Sequence, residues 1–241
     1  ERAEAMRHLV MAKDFDLLKF RAPERTNIII QSVCKRTGTP CVSSDSLFSA
    51  LTLGGVSSDE LFWEHLHPTP RGYYLIAGLF LRKILEINLI PSGNGDELLS
   101  RTLPFTMDTL SISWLELAYG DISIQHLTGS WPFANYHRVP LVFNNPPEAL
   151  KQIAMDTYSR KLLWEEGYYK TAEYFWKEGN LRDAQTTYES LIEDNPENYY
   201  AQYLLGNILV KQGNIASGMT HYRKAIHTNP RYPNARLDVA L

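Results

Sequence analysis

The last third of the chain repeats itself at a spacing of 34 residues. The identical residues at this spacing are Gly179-Asn180 and Gly213-Asn214, Tyr188 and Tyr222, and Asn195-Pro196 and Asn229-Pro230. A fixed period of this length indicates stacked helical hairpins, because each unit leaves an apolar face that only a neighbouring unit covers. The repeat therefore predicts an all-α region built of stacked units.

The two units also share the positions of their small residues and of a proline. Residues 165–198 and 199–232 each carry a small residue at the eighth and twentieth positions and proline at the thirty-second. These residues are Ala172, Ala184 and Pro196 in the first unit and Gly206, Gly218 and Pro230 in the second. Small residues let the two helices of a unit approach closely, and proline ends the second helix. The pattern closely resembles the tetratricopeptide repeat family, over about residues 165–232.

Stacks of this kind present a concave groove that holds a peptide or a partner helix. The first helix of each unit supplies the candidate groove residues, which are Lys170, Tyr174, Lys177, Tyr203 and Asn207. The alternative is that these side chains are ordinary solvated or packing positions. The resemblance implies a protein or peptide partner for this part of the chain.

A second informative segment lies at residues 61–72. Glu64 stands three residues before His67, Pro68 follows directly, and a largely apolar run begins at Tyr73. A carboxylate at that spacing can lie near the imidazole, hold one tautomer and stabilise the imidazolium that forms when the ring takes a proton. This order of residues is typical of a catalytic loop that leads into a helix.

The segment resembles the last conserved block of the SGNH (GDSL-type) ester hydrolases, in which Asp-x-x-His-Pro supplies the acid and base of a triad. His67 matches the base of that family, and Glu64 stands where the family has Asp. The run at residues 14–23 also resembles a bacterial subgroup that joins such a domain to helical repeats. The resemblance covers roughly the first 90 residues and implies an ester substrate for the full-length protein.

In that family the nucleophilic serine and the oxyanion residues precede the histidine by a wide margin, and only 66 residues precede His67. We therefore expect a C-terminal fragment that binds a partner but does not catalyse. Ser46 lies in a string that mimics Gly-Asp-Ser-Leu, but a turn or helix cap is the ordinary role of such residues. A metal site formed by Glu64, His65 and His67 is a further, incomplete alternative.

The resemblance and the sequence pattern together predict an α/β fragment for residues 1–90, the C-terminal part of a flavodoxin-like SGNH sheet domain. Residues 25–36 and 73–87 are predicted helices, and residues 41–43 a short strand at the edge of a parallel sheet. His67 would then lie beyond the C-terminal strand ends, where ligands bind in such sheets.

A Pro-Gly-Asn run at residues 91–96 predicts a domain boundary. The predicted organisation is an α/β part at 1–90, an interdomain bridge at 91–147 and an all-α tetratricopeptide region at 148–241. The net charge of −3 gives no support for nucleic-acid binding, and no run of 18 apolar residues predicts a membrane span. We predict free thiols at Cys34 and Cys41, and no cofactor or metal.

Two functions follow from these features. In the first, the full-length protein is a serine ester hydrolase with attached repeats, and the resemblance implies a bacterial protein that is exported or anchored. In the second, the protein is a non-catalytic tetratricopeptide scaffold with a degenerate hydrolase-like part, which Glu64 in place of Asp favours slightly.

Overall fold

The computed structural model describes residues 2–17, 22–52, 55, 60–64, 66–89, 111–130 and 146–232. The chain divides into two compact units, Glu1–Met107 and Asp108–Leu241, each with its own internal packing. In the described ranges, no helix is both long enough and apolar enough to cross a membrane.

The regular secondary structure of the first unit, within the residues that the structure describes, consists of helices. Its helices are α1 (Arg2–Phe15), α2 (Glu24–Thr37), α3 (Ser44–Leu51) and α4 (Pro70–Glu86). Helix α4 begins at Pro70, because the Thr69 hydroxyl accepts a hydrogen bond from Gly72 N at 3.1 Å and Pro70 occupies the first turn. Helices α2 and α4 correspond to the predicted helices at 25–36 and 73–87.

The prediction of an α/β fragment with a flavodoxin-like sheet is wrong. The described residues contain no strand, and the backbone shows only an isolated bridge between Phe62 and Pro68. The predicted strand at 41–43 instead links α2 to α3, because Ser43 caps α3 and its hydroxyl accepts from Ser46 N at 3.3 Å. A three-residue run whose last residue starts a helix leaves no length for a ladder of hydrogen bonds.

The second unit is a stack of helices in which each helix packs against the next one along the chain. Its helices are α5 (Trp114–Thr128), α6 (Glu148–Tyr158), α7 (Trp164–Lys177), α8 (Leu181–Asp194), α9 (Tyr199–Lys211) and α10 (Ile215–Thr228). Helices α7 and α8 form the first predicted repeat unit, and α9 and α10 form the second. The predicted all-α repeat region is therefore confirmed.

Small residues sit where the helices of a repeat unit approach most closely, as the sequence predicts. Ala172 and Ala184 are fully buried in the first hairpin. In the second hairpin, a Cβ added at Gly206 would lie 2.5 Å from the Tyr222 ring. A Cβ added at Gly218 would lie 2.6 Å from the side chain of Val210. The close approach of α9 and α10 thus depends on both glycines.

The repeated Gly-Asn pair turns the chain from one helix into the next. Gly179 and Gly213 adopt left-handed backbone conformations, with φ of 76° and 87°, which glycine reaches without steric cost. The side chains of Asn180 and Asn214 then accept hydrogen bonds from backbone N–H groups in the first turns of α8 and α10. Both residues of the pair therefore serve the turn, which explains why they recur together.

Helix α5 belongs to the core that the repeats share. Trp114, Leu115 and Ala118 are buried in one cluster with residues of α6 to α9. Ser113 and Glu116 form a capping box, and the Ser190 hydroxyl of α8 donates to the Glu116 carboxylate at 2.5 Å. The stack thus begins before the first predicted unit, and the predicted domain bounds at 90 and 147 stay predictions.

Candidate functional site

The candidate groove residues lie on the first helices of the two repeat units. Lys170, Tyr174 and Lys177 are on α7, and Tyr203 and Asn207 are on α9. Lys170 and Lys177 are exposed, whereas the other three are half-buried. Tyr174 differs from the rest because it lines a separate cleft together with Trp114 of α5.

The two α9 residues are held in place by Tyr222 of α10. The Tyr222 hydroxyl donates a hydrogen bond to Asn207 Oδ1 at 2.7 Å. The Tyr203 ring contacts the Tyr222 ring at a centroid distance of 5.7 Å. The second helix of the unit therefore positions two side chains of the first, which fixes the surface that they present.

Opposite charges lie side by side on the exposed surface of α7. Lys177 Nζ forms an ion pair with the Glu173 carboxylate at 2.5 Å. The hydrogen bond from Lys177 lowers the pKa of the Glu173 carboxyl, and the charge of Lys170 adds to this effect. The surface thus offers fixed donors and acceptors of both signs, which is typical of the rim of a protein-binding site.

Four tyrosines, on α7, on α9 and just after α10, form a continuous row, which we call the aromatic row. Its members are Tyr169, Tyr200, Tyr203 and Tyr232. The ring centroids are 5.3 Å apart for Tyr169 and Tyr200, 6.2 Å for Tyr200 and Tyr232, and 5.1 Å for Tyr203 and Tyr232. All four remain partly accessible, and Tyr200 is 40% exposed. The row therefore offers an apolar surface with polar tips.

Sequence reasoning found only Tyr203 of this row. The missed signal is that Tyr169 and Tyr203 are 34 residues apart, at the same position of the two units. The Tyr169 hydroxyl donates to Asn198 Oδ1 at 2.9 Å, and burial raises the pKa of this tyrosine. Tyr169 therefore stays a neutral hydrogen-bond donor at physiological pH.

Trp176 and Lys211 extend the same surface toward the ends of α7 and α9. Lys211 Nζ lies 4.0 Å from the centre of the Trp176 ring, a cation–π contact between the first helices of the two units. Lys211 follows Asn207 by one helical turn, so the contact lies on the side of α9 that carries Asn207. The aromatic character of the surface thus continues past the row.

A different arrangement is found in the first unit, at Glu64 and His67. Glu64 Oε1 contacts His67 Nδ1 directly, and the Glu64 side chain is only 1% exposed. The same carboxylate accepts hydrogen bonds from Leu66 N at 3.0 Å and from His67 N at 2.8 Å. The carboxylate is thus fixed by the backbone of the loop and in turn orients the imidazole.

The His67 side chain remains 55% exposed, and no described residue hydrogen-bonds its Nε2. The extra methylene of Glu64, compared with Asp, does not prevent contact with Nδ1. Ser46 lies in the first turn of α3, where its hydroxyl shares a 2.8 Å hydrogen bond with that of Ser43. His65, the third residue of the metal alternative, lies outside the described residues.

Comparison with known proteins identifies one family. The tetratricopeptide repeat model matches residues 169–236, so this part of the chain carries tetratricopeptide repeats. The match spans both hairpins, α7–α8 and α9–α10, apart from the residues of α7 that precede 169. Searches among curated proteins and among solved structures found no match. Tetratricopeptide repeats generally mediate protein–protein interaction, so the second unit contains a protein-interaction module.

Proposed function

We propose that the surface of α7 and α9 binds an extended or helical protein segment through apolar anchors. The observation that carries this proposal is the aromatic row, because partly exposed, mutually packed tyrosines supply large contact area at little cost in side-chain entropy. Lys170, Lys177 and Asn207 lie on the same two helices and would supply polar contacts to the bound segment.

The proposal is tested with peptides selected from a random displayed library against the whole chain. The affinity of the best peptide is then measured by fluorescence anisotropy for the wild type and for Tyr200→Ala. Loss of a central aromatic anchor weakens binding by about tenfold or more. Thr220→Ala, on the exposed surface of α10, is the matched control and leaves the affinity unchanged. Equal affinities for wild type and Tyr200→Ala would contradict the proposal.

We propose a second function for the first unit, in which His67 acts as the general base of an ester hydrolase. The supporting observation is the Glu64–His67 contact, which leaves Nε2 without a partner among the described residues. His67 Nε2 would take the proton of a serine hydroxyl as it attacks the ester carbon, and return it to the leaving alcohol. The buried carboxylate of Glu64 would stabilise the imidazolium between these steps.

The hydrolase proposal is tested with p-nitrophenyl acetate and the full-length protein. His67→Ala lowers the rate by about two orders of magnitude or more if the imidazole is the base. Glu64→Gln keeps the shape of the side chain but removes its charge, so it lowers the rate by a smaller factor. His126→Ala, on α5, is the control histidine variant. Absence of turnover in all four proteins would favour the non-catalytic scaffold.

A further inference from the structure

The loop that carries His67 is closed at its base by backbone hydrogen bonds. We call this segment, which starts at Glu60 and ends at Thr69, the His67 loop. Thr69 N donates a hydrogen bond to Leu61 O at 2.9 Å. Trp63 N donates to His67 O at 2.7 Å. These two bonds hold the two arms of the loop side by side, so the position of His67 depends on the contacts at the base.

The side chain of Thr69 joins the base of the His67 loop to helix α4. This residue is buried, with 2% exposed. Its hydroxyl donates a hydrogen bond to Glu60 O at 2.8 Å and accepts one from Gly72 N, in the first turn of α4, at 3.1 Å. Loss of a buried hydroxyl that is used in both directions leaves two backbone groups without a partner. One hydroxyl therefore links the start of the loop to the helix that follows its end.

The first turn of α4 also lies directly against the His67 loop. A Cβ added at Gly72 would collide with Leu61 O and would lie 2.9 Å from Pro68 Cβ. Leu61 and Pro68 belong to opposite arms of the loop. The glycine is thus required for space, and the packing of α4 on both arms is a second, independent contact at the base of the loop.

The arrangement inside the loop decides which imidazole nitrogen of His67 carries the proton. The Glu64 carboxylate contacts His67 Nδ1 and is itself held by the backbone N–H groups of Leu66 and His67. A carboxylate only accepts hydrogen bonds, so Nδ1 carries the proton of the neutral ring and Nε2 keeps its lone pair. A general base needs this lone pair, and the closed loop keeps Glu64 and His67 together.

We propose that Thr69 is a positioning residue for His67, because it closes the His67 loop against α4 and so holds His67 on Glu64 in the Nδ1–H tautomer. Thr69 acts through the backbone of the loop. This inference deepens the proposed hydrolase function and rests on it for its catalytic meaning. The tautomer is a property of the folded chain and needs no substrate, so it is measured independently of hydrolysis.

The test reads the tautomer of His67 by NMR on the whole chain labelled with ¹⁵N-histidine. At about pH 9, well above the ordinary pKa of histidine, correlations of the ring protons with Nδ1 and Nε2 show which nitrogen is protonated. His67→Ala identifies the signals by their loss. The wild type should show the Nδ1–H tautomer. Thr69→Val keeps the shape of the side chain without the hydroxyl, and the ratio of Nδ1–H to Nε2–H should fall about fivefold, as for loss of one hydrogen bond.

Two further variants separate positioning from stability. Thr69→Ser keeps the hydroxyl and should retain the wild-type ratio of tautomers. Thr52→Val removes a hydroxyl that donates to Phe48 O at 2.9 Å, at the end of α3, and should leave the ratio unchanged. All spectra are recorded in sucrose, which favours the folded state, and circular dichroism measures the helix content of each variant.

An unchanged ratio in folded Thr69→Val would overturn the proposal, as would the Nε2–H tautomer in the wild type, an equal change in Thr52→Val or a changed ratio in Thr69→Ser. Unfolding of Thr69→Val would also overturn it, because Thr69 would then be required for the fold and not for the position of His67.

Hydrolysis of p-nitrophenyl acetate by the full-length protein separates this proposal from the hydrolase proposal. If His67 is the base, Thr69→Val should lower kcat about tenfold and leave KM nearly unchanged, because a misplaced base acts on the chemical step. A wild type that shows the Nδ1–H tautomer but no turnover would contradict the hydrolase function alone.

Discussion

The two compact units bury their apolar residues to very different extents. In the second unit, one continuous cluster joins α5 to α9 and includes fully buried residues such as Leu205 and Ile208 of α9. In the first unit, α2 has no buried residue, and its Ile28 and Ile29 are 60% and 51% exposed. A repeated sequence supplies each helix with a neighbour of matching pattern, whereas an amphipathic helix alone does not specify what covers it.

The largest expected effect on stability comes from replacing a buried isoleucine of the second unit by alanine, compared with the same change at an exposed isoleucine of the first unit. Ile208→Ala removes a side chain that is 1% exposed and should lower the free energy of unfolding by about 3 kcal/mol. Ile29→Ala removes a half-exposed one and should change it by about 0.5 kcal/mol or less. Urea unfolding followed by circular dichroism measures both. A large loss for Ile29→Ala would show that α2 is covered in solution and would break the contrast.

A smaller effect is expected where the repeat hairpins are most tightly packed. Gly206→Ala should destabilise by about 2 kcal/mol, because its Cβ would meet the Tyr222 ring, which the hydrogen bond to Asn207 holds in place. Gly213→Ala meets no atom but has a positive φ, so about 1 kcal/mol is expected. Thermal unfolding of both variants ranks them. The reverse order would mean that the Tyr222 ring moves aside easily.

Removal of a helix cap should lower the free energy of unfolding by the same amount in the two units, since a cap acts within one helical turn. Asn214→Ala removes the acceptor at the start of α10, and Ser43→Ala removes the one at the start of α3. Each should cost about 1 kcal/mol. Calorimetry on the two variants tests this equality. A much smaller loss for Ser43→Ala would sharpen the contrast, because it would show that α3 contributes little to the stability of its unit.

The smallest effect is a pH dependence confined to the second unit. His221 Nδ1 lies 2.7 Å from Gln202 Oε1, and burial lowers the pKa of this histidine below its ordinary 6.5. The neutral form is therefore favoured in the folded state. Its contribution to the free energy of unfolding is present above pH 6.5 and is lost as the pH falls through the lower, folded-state pKa. Between pH 7.5 and 5.5, this contribution should change the free energy of unfolding of the wild type by under about 1 kcal/mol. His221→Gln should remove that change, as measured by urea unfolding.

The sequence predicted the repeat region because its evidence is redundant. The recurring Gly-Asn pair, the small residues at 206 and 218 and the period itself all depend on the same helix packing, and the structure confirms them. The predicted strand at 41–43 had no such support. It followed from a family resemblance and a short apolar run, and the capping preference of Ser43 outweighed both.

The candidate sites were predictable to different degrees. The three-residue spacing was enough to predict the contact between Glu64 and His67, since backbone hydrogen bonds fix a loop of this length. The aromatic row was missed because its contacts join different helices, as between Tyr169 and Tyr200. The cleft at Trp114 was missed for the same reason, because Tyr174 looks like a groove residue until the position of α5 is known.

Asn198 connects the aromatic row to the start of α9. Its side-chain oxygen accepts one hydrogen bond from Ala201 N and another from the Tyr169 hydroxyl, both at 2.9 Å. Both lone pairs of that oxygen are thus in use. A bound segment that draws Tyr169 away would therefore change the strength of the remaining hydrogen bond from Ala201 N, in the first turn of α9. Occupancy of one repeat would then be sensed by the next as a change in amide hydrogen exchange at Ala201, so neighbouring units would communicate without any movement of whole helices.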